Sequence, residues 1–218
     1  MSDRVRLLLV DDDPLVRAGL TSMLTGAPEL AVIGAAGNGR EAVDLVRDLR
    51  PDVVLMDIGM PVMDGVAATA AIRRRPAPPE VVMLTTFGSD QHLLDALRAG
   101  ASGYLLKDAA PVEIVTAVVK AASGESVLSP QSTRQLMGLV GGEPDLRRAA
   151  ALTALGRLTD RERDVVLAVA GGQSNAEAAA ALQLGVATVK THLANALAKL
   201  QLSNRVQLAL LAHDADLV

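Results

Sequence analysis

Five short apolar runs alternate with five helix-like stretches over residues 5–123, and this alternation limits the possible folds more than any other feature. A short apolar run that stops at turn residues is typical of a parallel strand buried on both faces. Strands that alternate with helices require right-handed crossovers and a parallel sheet that helices cover on both sides. We therefore expect a doubly wound α/β domain, with the flavodoxin-like order 2-1-3-4-5 as the leading choice. The predicted strands are 5–10, 30–35, the run ending at Asp57, VVMLT ending at Thr85 and GYLLK ending at Lys107.

Acidic residues follow two of these strands, which are neighbours in the predicted order. Asp57 ends strand three, and three consecutive aspartates at 11–13 follow strand one. The carboxyl ends of parallel strands form the ligand-binding edge of such sheets. Crowded carboxylates repel one another unless a cation lies between them, and oxygen ligands with open water positions suit Mg²⁺. Asp57 can then act as a nucleophile towards phosphorus, while Lys107 neutralises phosphoryl charge and Thr85 donates a hydroxyl.

Two of these assignments have simpler alternatives. Asp13 can cap the first helix, whose first residue is Pro14. Thr86 can replace Thr85 as the hydroxyl donor, although the strand register favours Thr85.

Composition excludes several classes of site. The 218 residues suggest one or two domains, and the absence of cysteine excludes disulfides and thiolate metal sites. Three scattered histidines without metal-site spacing make zinc a poor fit. The net charge of −4, the lack of a long apolar run and the lack of a signal segment predict a cytoplasmic protein that does not bind membranes.

The pattern changes to all-helical from residue 159. Thr159 and Ser174 each precede a glutamate by three residues, which is the capping-box signature of a helix start. Gly185 marks a tight turn before a helix over 186–200, and two short helices joined by such a turn form a helix-turn-helix. We therefore divide the chain into an α/β domain over 1–124, a linker with helical pieces over 125–155 and a four-helix domain over 156–218.

The motifs LLLVDDDPLVRAGL, DVVLMDIGMPVMDG, VVMLTTF and GASGYLLKDA resemble the receiver domain of bacterial two-component response regulators. This resemblance implies that a sensor histidine kinase phosphorylates Asp57. It implies that Asp11, Asp12, Asp57 and the backbone carbonyl of Gly59 hold Mg²⁺. Thr85 and Lys107 match the residues that sense the phosphoryl group, and Tyr104 matches an aromatic switch that moves inward behind the threonine.

The segments LTDRERDVV, GGQSNAEAAAAL and VATVKTHLANALAKLQLSNR resemble the LuxR-type helix-turn-helix of NarL/FixJ regulators. Such a recognition helix enters the major groove of double-stranded DNA. We expect base contacts from Lys190, Thr191 and Ala194, and phosphate contacts from Thr188, His192, Asn195 and Lys199. Residues 156–218 carry as many acidic as basic side chains, so we expect few phosphate contacts, a shallow salt dependence and a need for dimers.

The leading hypothesis is therefore a transcription regulator, not a turnover enzyme, that dimerises and exposes its recognition helix when Asp57 is phosphorylated. One alternative is a phosphatase of the haloacid-dehalogenase kind, because Asp11 and Asp13 follow an apolar strand. Another is a nucleotide-binding module built on the glycines at 34, 37 and 39. The last is a regulator that binds DNA without phosphorylation.

Overall fold

The computed structural model describes residues 4–85, 90–125, 127–128 and 144–218. The chain divides into two compact units, one within residues 1–139 and one within 140–218. The alternative donor Thr86 lies outside the described residues.

The first unit contains one parallel sheet with the order β2-β1-β3-β4-β5-β6. Its strands are β1 (Val5–Val10), β2 (Leu30–Ala36), β3 (Val53–Asp57), β4 (Glu80–Thr85), β5 (Gly103–Leu106) and β6 (Val127–Leu128). The predicted doubly wound fold and the order of its first five strands are confirmed. Strand β6 is an addition: Val127 and Leu128 pair with Gly103 and Tyr104 of β5.

Five helices connect the strands of this sheet. They are α1 (Pro14–Thr25), α2 (Gly39–Leu49), α3 (Gly65–Arg73), α4 (Asp90–Ala99) and α5 (Pro111–Ala122). Asp64 is the N-cap of α3, since its side chain accepts a hydrogen bond from the backbone N–H of Ala67 at 2.7 Å. Such a cap satisfies an N–H that has no partner within the helix.

Residues on the two faces of the central strands alternate between two layers of core. Leu7, Leu9 and Leu55 belong to a cluster that also contains side chains of α1 and α5. The intervening Leu8 and Val54 are also fully buried, as expected for strands covered on both faces. The continuous apolar runs in the sequence are explained by this two-sided burial.

The glycine at 39 serves packing. It is the first residue of α2, and its N–H donates to the carbonyl of Met63 at 3.0 Å. A Cβ at this position would lie 2.6 Å from that oxygen. The glycines at 34, 37 and 39 therefore belong to a strand, a turn and a helix start, which supports the turn interpretation over a nucleotide-binding loop.

The second unit is helical. Its helices are α6 (Pro144–Leu155), α7 (Asp160–Ala170), α8 (Asn175–Leu182), α9 (Val186–Leu200) and α10 (Arg205–Asp214). Both predicted capping boxes are present, at Thr159 with Glu162 and at Ser174 with Glu177. Helices α8 and α9 form the predicted helix-turn-helix around Gly185. None of the helices in the described ranges combines the length and apolar character that a membrane crossing requires.

The segment 125–155, which we predicted to be a linker, contributes to both units. Strand β6 extends the sheet, and α6 packs on α10 through a core that includes Ala151 and Leu155. Part of the segment is helical, as α6, and one face of this helix, with Ala151 and Leu155, packs into the core that its neighbours form. The limits at 124 and 155 stay predictions.

Candidate functional site

Three carboxylates meet at the carboxyl end of the central strands. Asp11 follows β1 and Asp57 ends β3, and these strands are paired so that Val10 lies opposite Met56. One oxygen each of Asp11, Asp12 and Asp57 lies within 4.8 Å of the others. Asp11 and Asp57 are buried, whereas Asp12 is exposed. The arrangement offers three hard oxygen ligands, one of them open to solvent, and fits the demands of Mg²⁺.

Lys107 joins the two buried carboxylates. It follows β5, and its Nζ lies 2.6 Å from Oδ2 of Asp11 and 3.2 Å from Oδ2 of Asp57. Burial lowers the pKa of Lys107, but the two carboxylates outweigh it and the net pKa is raised. The ammonium therefore stays charged at neutral pH and lies where negative charge is concentrated.

The ionised form of Asp57 is less favourable in the folded protein than in water. Burial raises the pKa of its carboxyl, and Asp11 adds to the rise. Lys107 and the N–H of Ile58 act in the opposite direction but do not compensate fully. Ionising Asp57 in the folded protein therefore costs stability, and a cation or phosphoryl group that takes up this charge would relieve the cost.

Asp11 is fixed at each of its polar groups. Its N–H donates to the carbonyl of Ala36, and its Oδ1 accepts from the N–H of Asp13 at 3.0 Å. Nη1 of Arg17 donates to its carbonyl oxygen at 2.5 Å. This role of Arg17 could not be predicted from the sequence, since its partner is a backbone atom. The position of Arg17 one turn after the acidic run is the one signal that could have indicated it.

Asp13 takes no part in the cluster and instead begins helix α1. Its Oδ1 accepts a hydrogen bond from the N–H of Leu15 at 2.8 Å. The capping alternative for Asp13 is therefore confirmed.

Gly59, whose backbone carbonyl was predicted to bind the metal, lies two residues after Asp57. It is exposed, and an added Cβ would have open space around it.

Thr85 and Tyr104 lie on the neighbouring strands β4 and β5, two positions apart in register. Thr85 ends β4 and is buried, and its carbonyl accepts from the N–H of Lys107 at 2.6 Å. Tyr104 is only 3 % exposed, and in the described part of the chain its phenol oxygen has no hydrogen-bond partner of ordinary geometry. Burial raises the pKa of Tyr104, and the nearby Thr85 hydroxyl offsets this in part because it can donate to a phenolate.

Helix α9 separates a buried stripe from an exposed face. Val189 and Leu193 are buried, whereas Lys190 and Thr191 between them are exposed. His192 is half-buried, and the hydroxyl of Thr191 donates to the carbonyl of Ala187 at 3.0 Å. The other residues predicted to contact DNA are exposed, namely Thr188, Lys190, Ala194, Asn195 and Lys199.

Lys199 differs from the rest because it is paired within the protein. Its Nζ lies 2.7 Å from Oε2 of Glu162, a carboxylate at the start of α7. The same oxygen accepts from the N–H of Thr159 at 2.9 Å. Lys199 first, and the Thr159 N–H second, lower the pKa of Glu162 from 4.5 to about 2.

This depressed pKa predicts an acid-dependent loss of stability in the second unit. The pair stabilises the folded state fully above pH 4.5 and loses this effect as the pH falls towards 2, because protonation discharges Glu162. Glu162→Gln should therefore lower the melting temperature at pH 6, and the difference from wild type should shrink steadily below pH 4.5.

Glu177→Gln is the matched control, since Glu177 caps α8 in the same way but has no lysine partner among the described residues. Thermal melts followed by circular dichroism measure both. An effect of Glu162→Gln no larger than that of the control at pH 6 would contradict the prediction.

Comparisons with known proteins match the two units of the chain to two different families. The model of the response regulator receiver domain matches residues 7–119, and the model of bacterial regulatory proteins of the luxR family matches residues 156–212. The response regulator protein VraR of Staphylococcus aureus is 37% identical over 214 residues, which cover 98% of this chain and 99% of VraR.

Two solved structures are also similar. The response regulator ChrA of a heme-sensing two-component system is 34% identical, with a TM-score of 0.54 over 99% of both chains. The signal receiver domain of the putative response regulator NarL from Mycobacterium tuberculosis is 37% identical, with a TM-score of 0.55 over 56% of this chain and 99% of that one. These matches favour the regulator over the phosphatase alternative. The chain belongs to the bacterial two-component response regulators, and it joins a receiver domain to a LuxR-type DNA-binding domain that controls transcription.

Proposed function

We propose that Asp57 accepts a phosphoryl group from a sensor histidine kinase and that this modification switches DNA binding by the second unit. The observation that carries the proposal is the position of Lys107, whose ammonium reaches both Asp57 and Asp11. An ionised nucleophile, a fixed cation and converging oxygen ligands are the parts that phosphoryl transfer to a carboxylate requires.

In the proposed transfer, an oxygen of Asp57 attacks phosphorus while the bond to the imidazole nitrogen of the kinase breaks. That nitrogen takes up a proton from water. Esterification removes the charge of the Asp57 carboxylate, so Lys107 can turn from it to a phosphoryl oxygen and still keep its contact with Asp11. Thr85 would donate its hydroxyl to another phosphoryl oxygen, and Tyr104 would move with Thr85 because the two side chains are neighbours.

Asp11, Asp12, Asp57 and the carbonyl of Gly59 would hold Mg²⁺ in this proposal. The ion would neutralise charge on the phosphoryl oxygens as they are transferred. The convergence of the three carboxylates supports this assignment, since two of them are buried beside each other and Lys107 is the one cationic side chain that joins them in the described part of the chain.

The metal assignment predicts that Asp12→Asn weakens Mg²⁺ binding by about 10-fold or more, because losing even a supporting group of a ligand typically costs that much. Asp13→Asn is the matched control: it removes the same charge one residue away, and asparagine caps a helix as well as aspartate. Isothermal titration with MgCl₂ measures both affinities. Equal losses of Mg²⁺ affinity in the two variants would contradict the assignment of Asp12 as a ligand, because they would show that only the overall negative charge of the region matters.

The exposed face of α9 is the proposed DNA-reading surface. Lys190, Thr191 and Ala194 would meet base edges, and Thr188, His192 and Asn195 would lie towards the phosphates. A homodimer would place two such helices in successive major grooves of double-stranded DNA.

We propose residues 1–124 as the receiver domain and residues 156–218 as the DNA-binding domain. We expect a regulator of transcription to act in the cytoplasm, where the DNA is.

The test uses the full chain with acetyl phosphate, with Mg²⁺ or with a chelator. Intact mass spectrometry should find one phosphoryl group per chain only with Mg²⁺. The dimer fraction in gel filtration and the affinity for DNA should both rise under the same condition. Phosphorylation that changes neither would favour DNA binding without a switch. Sustained hydrolysis of phosphate monoesters would instead favour the phosphatase alternative.

A further inference from the structure

Lys199 lies in the last turn of α9, the recognition helix, but its ammonium forms an ion pair with a carboxylate of the second unit itself. The side chain of its partner Glu162 is only 6 % exposed, and the two charged atoms lie 2.7 Å apart. A buried carboxylate is costly to leave without its cation. If Lys199 turned outward to a DNA phosphate, the buried carboxylate of Glu162 would lose its cation and the folded state would be destabilised.

Glu162 is held in place independently of Lys199. Its carboxylate accepts from the N–H of Thr159, and the hydroxyl of Thr159 accepts from the N–H of Glu162 at 3.4 Å. This reciprocal cap belongs to the first turn of α7 and fixes the position of the carboxylate. The ion pair therefore ties the end of α9 to a point that α7 itself defines.

Arg205 makes a second tie at the other end of α7. It begins α10, is buried, and its Nη2 donates to the carbonyl of Gln173 at 2.8 Å and to that of Val169 at 3.4 Å. Carbonyl oxygens at the C-terminal end of a helix attract such a cation. Lys199 and Arg205 flank the turn between α9 and α10, so this turn is attached to both ends of α7.

We propose that Lys199 is a positioning residue, which sets the angle of the recognition helix by holding its end against α7, and not a phosphate contact. The proposal rests on DNA binding by α9. It leaves Lys190 as the cation of α9 that faces DNA. It also assigns Glu162, seen in the sequence only as a cap, to the DNA-binding function.

The experiment compares Lys199→Met with Lys190→Met in the full chain. Both variants remove one positive charge from the same helix, so they differ only in where that charge acts. The probe is a fluorescent double-stranded DNA of mixed sequence, titrated between about 50 and 200 mM salt, where the slope of log affinity against log salt counts phosphate contacts. Hydrogen exchange of the amides in the last turn of α9 reports how firmly this turn is held.

Lys190→Met should reduce the salt slope by about 1 for each protomer bound, because a lysine in the groove displaces a counterion even where its ammonium meets a base edge, and it should leave amide protection unchanged. Lys199→Met should keep the wild-type slope, weaken binding several-fold by the same factor at every salt concentration, and lower amide protection in α9. Glu162→Gln should reproduce the Lys199→Met pattern, and the double variant should be no worse than either single one. Lys199→Arg should restore both affinity and protection, since it can still pair with Glu162.

The proposal is overturned if Lys199→Met reduces the salt slope as Lys190→Met does, or if its effect on amide protection adds to that of Glu162→Gln. Failure of the wild type to bind any duplex would count against DNA binding by α9 and is a separate result. The exchange measurements need no DNA, and independent effects of the two variants there would still overturn the tie between Lys199 and Glu162.

Discussion

Asp57→Asn should abolish phosphoryl incorporation from acetyl phosphate, a loss on the order of 10³-fold or more, as expected when a nucleophile is removed. The amide keeps the size of the carboxylate and so keeps the packing at the end of β3, but its nitrogen and neutral oxygen do not attack phosphorus. Donor-dependent dimerisation and DNA binding should be lost with it. Intact mass spectrometry measures incorporation, and gel filtration measures the dimer.

The same substitution should make the receiver more stable at neutral pH. Since the pKa of Asp57 is raised in the folded state, folding favours its protonated form, and the ionised form costs stability above that raised pKa. The asparagine removes this cost. Lys107 keeps its shorter contact with Asp11, so little of its pairing energy is lost. The melting temperature should therefore rise at pH 7, and the difference from wild type should vanish as the pH falls towards 3.8, the ordinary pKa of the group.

Asp64→Asn is the matched control for both effects. Asp64 is an exposed cap seven residues later, and asparagine can make the same hydrogen bond to Ala67. This variant should incorporate phosphate normally and melt as wild type does. Undiminished incorporation in Asp57→Asn would place the acceptor elsewhere. A lower melting temperature would mean that the ion pair with Lys107 outweighs the cost of burial.

The strands could be predicted from the sequence because a parallel strand buried on both faces leaves a continuous apolar run. The run before Asp57 is such a case, and its bounds agree with β3. Strand β6 could not be predicted in this way, since Val127 and Leu128 are too few to form a pattern. They become a strand only because the end of α5 brings them beside Gly103 and Tyr104.

The acidic cluster was also predictable, because strand order alone brings the ends of β1 and β3 together. The contacts of Arg17 and Lys199 were not. Arg17 binds a backbone carbonyl, which has no signature in the sequence. Lys199 and Glu162 are 37 residues apart, and each had a sufficient local explanation, Lys199 as a phosphate contact and Glu162 as a cap. Their pairing depends on how α7 and α9 pack, which helical periodicity does not specify.

Gly65→Ala should destabilise the receiver by roughly 3 kcal/mol or more, at the upper end of what overpacking costs. Gly65 is the first residue of α3, and a Cβ there would lie 1.9 Å from the carbonyl oxygen of Asp57. Its N–H also donates to the carbonyl of Ile58 at 2.9 Å. The close approach joins two backbone segments, so no side-chain rotation can relieve the clash.

Gly19→Ala provides the opposite result from the same chemical change. Gly19 lies inside α1, and an added Cβ would meet nothing within 4 Å. Replacing a glycine inside a helix with alanine should raise stability by about 0.5–1 kcal/mol. Urea denaturation followed by circular dichroism measures both variants, and similar effects of the two substitutions would contradict the steric explanation.

We expect relief of the clash at Gly65 to move Asp57, because the atom in contact is the carbonyl oxygen of Asp57 itself. The carboxylate would then lose its alignment with Lys107 and with the other two acids. Phosphorylation of Gly65→Ala should therefore be slower even at a temperature where the variant is fully folded, by about 10-fold or more for a displacement on the order of 1 Å. Gly19→Ala should be phosphorylated at the wild-type rate under the same conditions. A destabilised Gly65→Ala that is still phosphorylated at the wild-type rate would show that α3 yields and β3 does not, and the link between this glycine and the position of Asp57 would be wrong.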